Sequence, residues 1–126
     1  MVRTSIALVA ATCALLLLPA CQRPLSANEQ KVVGTWKRAE MDAVERIVYR
    51  PDRTMESEMM GVSDTWLPFA KGTWRLEGDV MVEEYTISRG PGRIPFPKQL
   101  TRDRILEFQP DKLVLEENRS PLVRAQ

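Results

Sequence analysis

The chain has 126 residues, 18 basic against 17 acidic, with no histidine and two cysteines. That length suits one domain, and so even a charge balance removes the electrostatic case for a nucleic-acid partner. Without histidine, Ser–His and Cys–His nucleophilic catalysis and zinc sites built from Cys and His are excluded.

Residues 6–18 form an almost unbroken apolar run of thirteen after Arg3. A helix needs roughly 20 apolar residues to cross a bilayer, so this run reads as the core of a secretory signal. It ends in Leu18-Pro19-Ala20-Cys21. That ending resembles the lipobox of bacterial lipoproteins, with Pro19 standing where a small residue is commoner. The resemblance implies cleavage after residue 20 and acylation of the Cys21 thiol with palmitate-type chains. At about 0.8 kcal/mol per buried CH₂ such chains anchor a protein firmly. Gln22 rather than Asp follows the cysteine, which in Gram-negative members of that family implies the outer membrane, facing the periplasm. Ordinary cleavage near Ala20, releasing a soluble periplasmic protein, is the alternative. With the signal go Arg3 and Cys13, leaving seventeen residues of each sign and no free thiol; structural disulfides then cannot form, although the compartment permits them.

Residues 21–30 read as a tether. Within it Ser26-Ala27-Asn28-Glu29 has the spacing of a capping box and a short helical turn; a plain polar linker is the alternative. From Gly34 onward, short alternating runs between turn residues predict strands over 34–40, 44–50, 54–60, 69–76, 80–88, 99–108, 113–117 and 122–124. Pro51-Asp52-Arg53, Glu77-Gly78-Asp79 and Pro110-Asp111 supply turns. Residues 89–97, with two glycines and three prolines, read as an irregular loop. This is an all-β antiparallel up-and-down meander of seven or eight short strands over residues 31–126, closed or half-open as a barrel. Two echoes support it. Gly34-Thr35-Trp36-Lys37 returns as Gly72-Thr73-Trp74-Arg75, and Tyr49-Arg50-Pro51-Asp52-Arg53 as Phe108-Gln109-Pro110-Asp111-Lys112.

With Val33-Gly34-Thr35-Trp36 opening the first strand, Gly72 to Asp79 leading into Val80, and Pro110-Asp111-Lys112-Leu113, the chain resembles the small bacterial lipocalin-like domains over roughly residues 30–124. The resemblance implies a barrel whose Gly-x-Trp tryptophan closes one end beneath an arginine of the last strand. Trp36, Trp74 and Arg124 are then structural residues, with Arg119 the competing arginine. The interior of about eight strands is filled by side chains or holds one small ligand.

The remaining candidates carry weaker chemistry. Glu56 with Glu58, Glu83 with Glu84 and Glu116 with Glu117 are carboxylate pairs of the kind used in general acid–base work, but they read more simply as solvated strand faces. Met55, Met59, Met60 and Met81 suit a core; their thioethers would also suit Cu(I). Trp66, Phe69 and Phe96 lie in or beside predicted loops, where apolar residues at a barrel mouth form a portal or a partner contact; folding back as a lid is the alternative. Tyr49, Tyr85 and Met59 are the candidate interior contacts. The expectation is a lipid-anchored, non-enzymatic cell-envelope protein with no cofactor and no metal, binding a small apolar ligand in its barrel. The alternative is a filled barrel whose exposed loops hold an envelope protein, as an inhibitor or assembly accessory.

Overall fold

The computed structural model describes residues 23–88 and 97–125. Cys21 and Phe96 lie outside the described residues. A short helix α1 (Ala27–Val32) precedes eight strands: β1 (Gly34–Ala39), β2 (Val44–Tyr49), β3 (Thr54–Met60), β4 (Trp66–Glu77), β5 (Val80–Ile87), β6 (Gln99–Gln109), β7 (Lys112–Leu115) and β8 (Leu122–Arg124). Each strand pairs antiparallel with the next, and β8 returns to β1 through Trp36 opposite Arg124 and Lys37 opposite Val123. The barrel is therefore closed, not half-open, and closure removes the unpaired edges that invite aggregation. Among the described residues no helix is long and apolar enough to cross a membrane.

Two strands are longer than the sequence predicts. β4 has 12 residues and begins at Trp66, not at Phe69. Pro68 made that stretch look like loop, because proline cannot donate to a ladder. It is accommodated where the β3–β4 register shifts between Ser57 and Glu58, with Pro68 opposite Glu58. A bulge of this kind is where a strand tolerates proline. β6 has 11 residues and carries a second irregularity between Ile105 and Glu107.

One end of the barrel is sealed. Trp36, Tyr49, Trp74, Met81, Leu113 and Leu122 are fully buried there with Val32 of the helix. The helix is held by the capping box: Ser26 Oγ accepts from the Glu29 amide at 3.1 Å, and the Ser26 amide donates to Glu29 Oε1 at 3.0 Å. Both tryptophans of the echoed motif use their indole N–H groups on the closing loops. Trp36 Nε1 donates to the Val32 carbonyl at 2.8 Å, and Trp74 Nε1 to the Arg50 carbonyl at 3.1 Å. The two glycines of that motif share a reason as well. A Cβ on Gly34, which sits at φ 135°, would lie 2.5 Å from Arg124 Nη1; one on Gly72 would overlap the Glu84 backbone of β5.

Arg124 locks this end. Its guanidinium lies 4.0 Å from the Trp36 ring centroid and donates to the carbonyls of Val33, Lys31 and Pro110 at 2.8, 2.7 and 3.1 Å. Glu29 adds a second lock. It is 4% exposed and receives the Arg53 guanidinium on both carboxylate oxygens, together with the Leu76 amide at 3.1 Å. Burial alone would raise the Glu29 pKa. The hydrogen bonds from Arg53 and from the Ser26 and Leu76 amides outweigh it and hold the carboxyl at about 2. Arg53 takes φ 67° to reach it, a left-handed conformation that disfavours non-glycine residues by about 1–2 kcal/mol.

Candidate functional site

Strand alternation directs every second side chain inward. At the sealed end those positions are apolar, but toward the other end they turn polar. β1 sends in Arg38, β2 Glu45, β3 Ser57, β5 Glu83 and β6 Thr101 and Asp103. They line a cavity of about 900 Å³ together with Ile47, Met55, Met59, Phe69, Ala70, Tyr85 and Leu115. The β1–β2 connection (Glu40, Met41, Asp42) and the β7–β8 connection (Glu117, Asn118) form part of its mouth. Met55, Ile47 and Leu115 belong to the core cluster as well, so the sealed end is the cavity floor.

The wall carries an asymmetric set of charges. Arg38 is half-buried beside two carboxylates: Nη2 lies 2.6 Å from Glu45 Oε1, and Nε, which makes no hydrogen bond among the described residues, lies 3.2 Å from Glu40 Oε1. Burial would lower the Arg38 pKa, but Glu45 overrides it and the pKa rises, so the side chain stays cationic. Asp103 is satisfied by backbone, accepting from the amides of Glu117 at 2.8 Å and Asn118 at 3.2 Å. This ties the mouth connection to β6.

Glu83 is different. Among the described residues its one hydrogen-bond contact is the Tyr49 hydroxyl at 3.5 Å, too long to satisfy a carboxylate. Burial pushes Glu83 up, Glu45 and Asp103 add to the push, and Arg38 and Tyr49 pull against it; the result is about 7. Tyr49 is raised well above its ordinary value by burial and then by Glu83, so its hydroxyl keeps its proton. Ser57 is 2% exposed and lines the cavity, yet among the described residues its Oγ has no hydrogen-bond partner. Buried polar atoms are nearly always paired, so Ser57 Oγ, Arg38 Nε and Glu83 are the groups of the wall with capacity for a further hydrogen bond.

Tyr85, Met59 and Phe69 line the cavity. Tyr49 does not: it is buried in the floor, edge-on to Trp74 with ring centroids 5.5 Å apart, and only its hydroxyl reaches toward the site. Trp66 is a correction. It belongs to β4 opposite Met60, on the outer face, with Arg46 4.1 Å and Lys37 5.9 Å from its ring centroid. It lies on the outer barrel wall directly after the β3–β4 connection, in a strand that continues past Pro68 through the bulge at Ser57/Glu58.

The carboxylate pairs divide in the same way. Glu83 lines the cavity while its neighbour Glu84 pairs outside with Lys98 at 3.2 Å; Glu117 faces the mouth while Glu116 pairs with Arg104 at 3.5 Å. Glu56 and Glu58 sit on the outer face, paired with Arg50 and Arg46.

Arg38, Glu45, Ser57, Thr101 and Asp103 were missed as site residues, and Glu83 was read only as half of a pair. A signal was present. Glu45 shares its strand face with Ile47 and Tyr49, and Glu83 shares its face with Met81 and Tyr85. A lone acid in register with core residues is the mark of a polar position inside a barrel. No protein-family model, no curated protein and no solved structure matches the chain.

Proposed function

We propose that this protein is a lipid-anchored, non-enzymatic binding protein of the cell envelope that holds a small amphipathic molecule inside its barrel. The observation that carries the reading is the cavity of about 900 Å³ above a sealed floor. Its size falls within the roughly 300–1,000 Å³ range of ligand pockets, and it has their pattern of apolar walls with a few polar groups. A barrel that served only as a scaffold for its loops would gain stability by filling that space, since interiors pack at crystal density. The mouth fits the same use. Met41 is 98% exposed and lines the rim, as an apolar residue at a portal would. The anchor rests on Leu18-Pro19-Ala20-Cys21 after the apolar run, and the outer membrane on Gln22.

A contact with an envelope protein is the second reading. Met41 together with Val62, which is 100% exposed in the β3–β4 connection, favours it. Native mass spectrometry of the protein purified from its own cells separates the two. A retained small molecule and an acylated Cys21 support the carrier. An empty barrel with a co-purifying protein supports the second reading, and an unmodified chain beginning elsewhere refutes the anchor.

A further inference from the structure

We propose, resting on the carrier reading above, that the ligand is an amphipathic amine whose ammonium is held by the Glu83 carboxylate and whose apolar body lies along Ile47, Met55, Met59 and Phe69. Three observations lead there. First, among the described residues the other charged groups deep in the cavity are engaged, while Asp42 and Glu117 stand exposed at its rim and Arg102 of β6 is paired with Glu77 at 2.5 Å. Arg38 of β1 is already engaged by Glu45 of β2 and by Glu40, and Asp103 of β6 by two backbone amides. Tyr49 of β2 and Tyr85 of β5 are neutral phenols whose pKa values are raised by burial.

Second, the retained surface of half-buried Glu83 adjoins the cavity that it lines. A carboxylate so placed and unpaired is costly to ionise, and an ammonium beside it removes that cost. An anion would meet Glu45, Glu40 and Glu83 around Arg38, and Arg102, the other arginine along the cavity, is held by Glu77. Among the described residues no three carboxyl groups converge to hold a metal ion, so the negative charge is spread along the wall and suits an organic cation. Third, Ser57 Oγ is buried, lines the cavity and lacks a partner among the described residues. It offers a second hydrogen bond to a polar group elsewhere on the ligand.

The pH dependence has a defined sign. An alkylammonium, with a pKa near that of lysine at about 10.4, stays charged below pH 9. Glu83 holds its proton below about 7. Binding of the cation therefore releases a proton at low pH, and affinity rises as pH increases through that value.

The test uses the natively processed protein in lipid nanodiscs, with empty nanodiscs as the blank. Octylamine, octanol and octanoate are compared by isothermal titration calorimetry. Octylamine is expected to bind about tenfold tighter than octanol at about pH 8, with octanoate the weakest and the amine's advantage shrinking at about pH 6. Glu83→Gln is expected to bring octylamine down to the octanol affinity measured on the same variant, whose folding is checked by circular dichroism and by the fluorescence of the buried Trp36 and Trp74. Octanol binding as tightly as octylamine, or Glu83→Gln leaving the amine's advantage intact, overturns the amine assignment while the carrier reading stands. Failure of all three probes to bind overturns the carrier reading and this inference with it.

Discussion

Glu29→Gln removes the charge that ties the N-terminal helix to the barrel. In the folded chain Glu29 stands at about 2 instead of its ordinary 4.5. At 1.36 kcal/mol per pKa unit the difference gives a ceiling of about 3 kcal/mol. The Gln carboxamide keeps an oxygen for some of these hydrogen bonds, which brings the expected loss at neutral pH to about 2 kcal/mol. Part of that loss is the Arg53 guanidinium left buried without its partner. Because the folded pKa lies below the unfolded one, this stabilisation is fully present above about pH 4.5. It disappears as pH falls toward about 2, so the two proteins converge in acid. Urea titration followed by tryptophan fluorescence reads this directly, since Trp36 and Trp74 are fully buried. Arg53→Gly in the Glu29→Gln background completes a double-mutant cycle. Glycine suits φ 67°, so the double variant recovers part of the loss. A Glu29→Gln loss below about 0.5 kcal/mol, the level of ordinary surface substitutions, or a difference that persists unchanged at pH 2, refutes the lock.

Arg124→Lys keeps the charge but loses the planar fork that reaches three carbonyls and stacks on Trp36; a loss of about 2 kcal/mol in urea denaturation is expected. Trp66→Ala removes only an outer-face stack with Arg46 and Lys37. It is expected to cost about 1 kcal/mol or less and to leave octanol affinity unchanged by calorimetry. Cys21→Ser removes the thiol on which anchoring rests; fractionation of the cells is expected to find the protein in the soluble periplasm instead of the membrane.

The fold was readable because its signals are local. β3 and β8 occupy the residues that alternation assigned to them, and Ser26 with Glu29 forms the capping box that their spacing implied. Gly78 takes the positive φ that its tight turn needs, and Pro51-Asp52-Arg53 turns as Pro and Asp imply, although nothing local announced the positive φ of Arg53. What resisted reading depends on partners distant in sequence. Nothing near Arg53 announces Glu29, 24 residues earlier. Nothing near Pro68 announces the bulge across the sheet that lets β4 begin at Trp66. The site was hidden for a related reason. Glu83 and Glu84 look like a pair in sequence, but the period of two sends them to opposite faces. Pairing of β5 with β6 sets Asp103 beside Glu83, and only closure of the barrel adds Arg38 and Glu45.

The methionines provide the most direct test that the barrel's inner space is a binding chamber. Met55 and Met59 line it, Met60 is on the outer face opposite Trp66, and Met81 is sealed in the core. With methyl-labelled methionine, intermolecular NOEs from bound octanol are expected at the Met55 and Met59 methyls and absent from Met60. NOEs to Met60 alone, or to no methionine while octanol binds, would contradict the chamber.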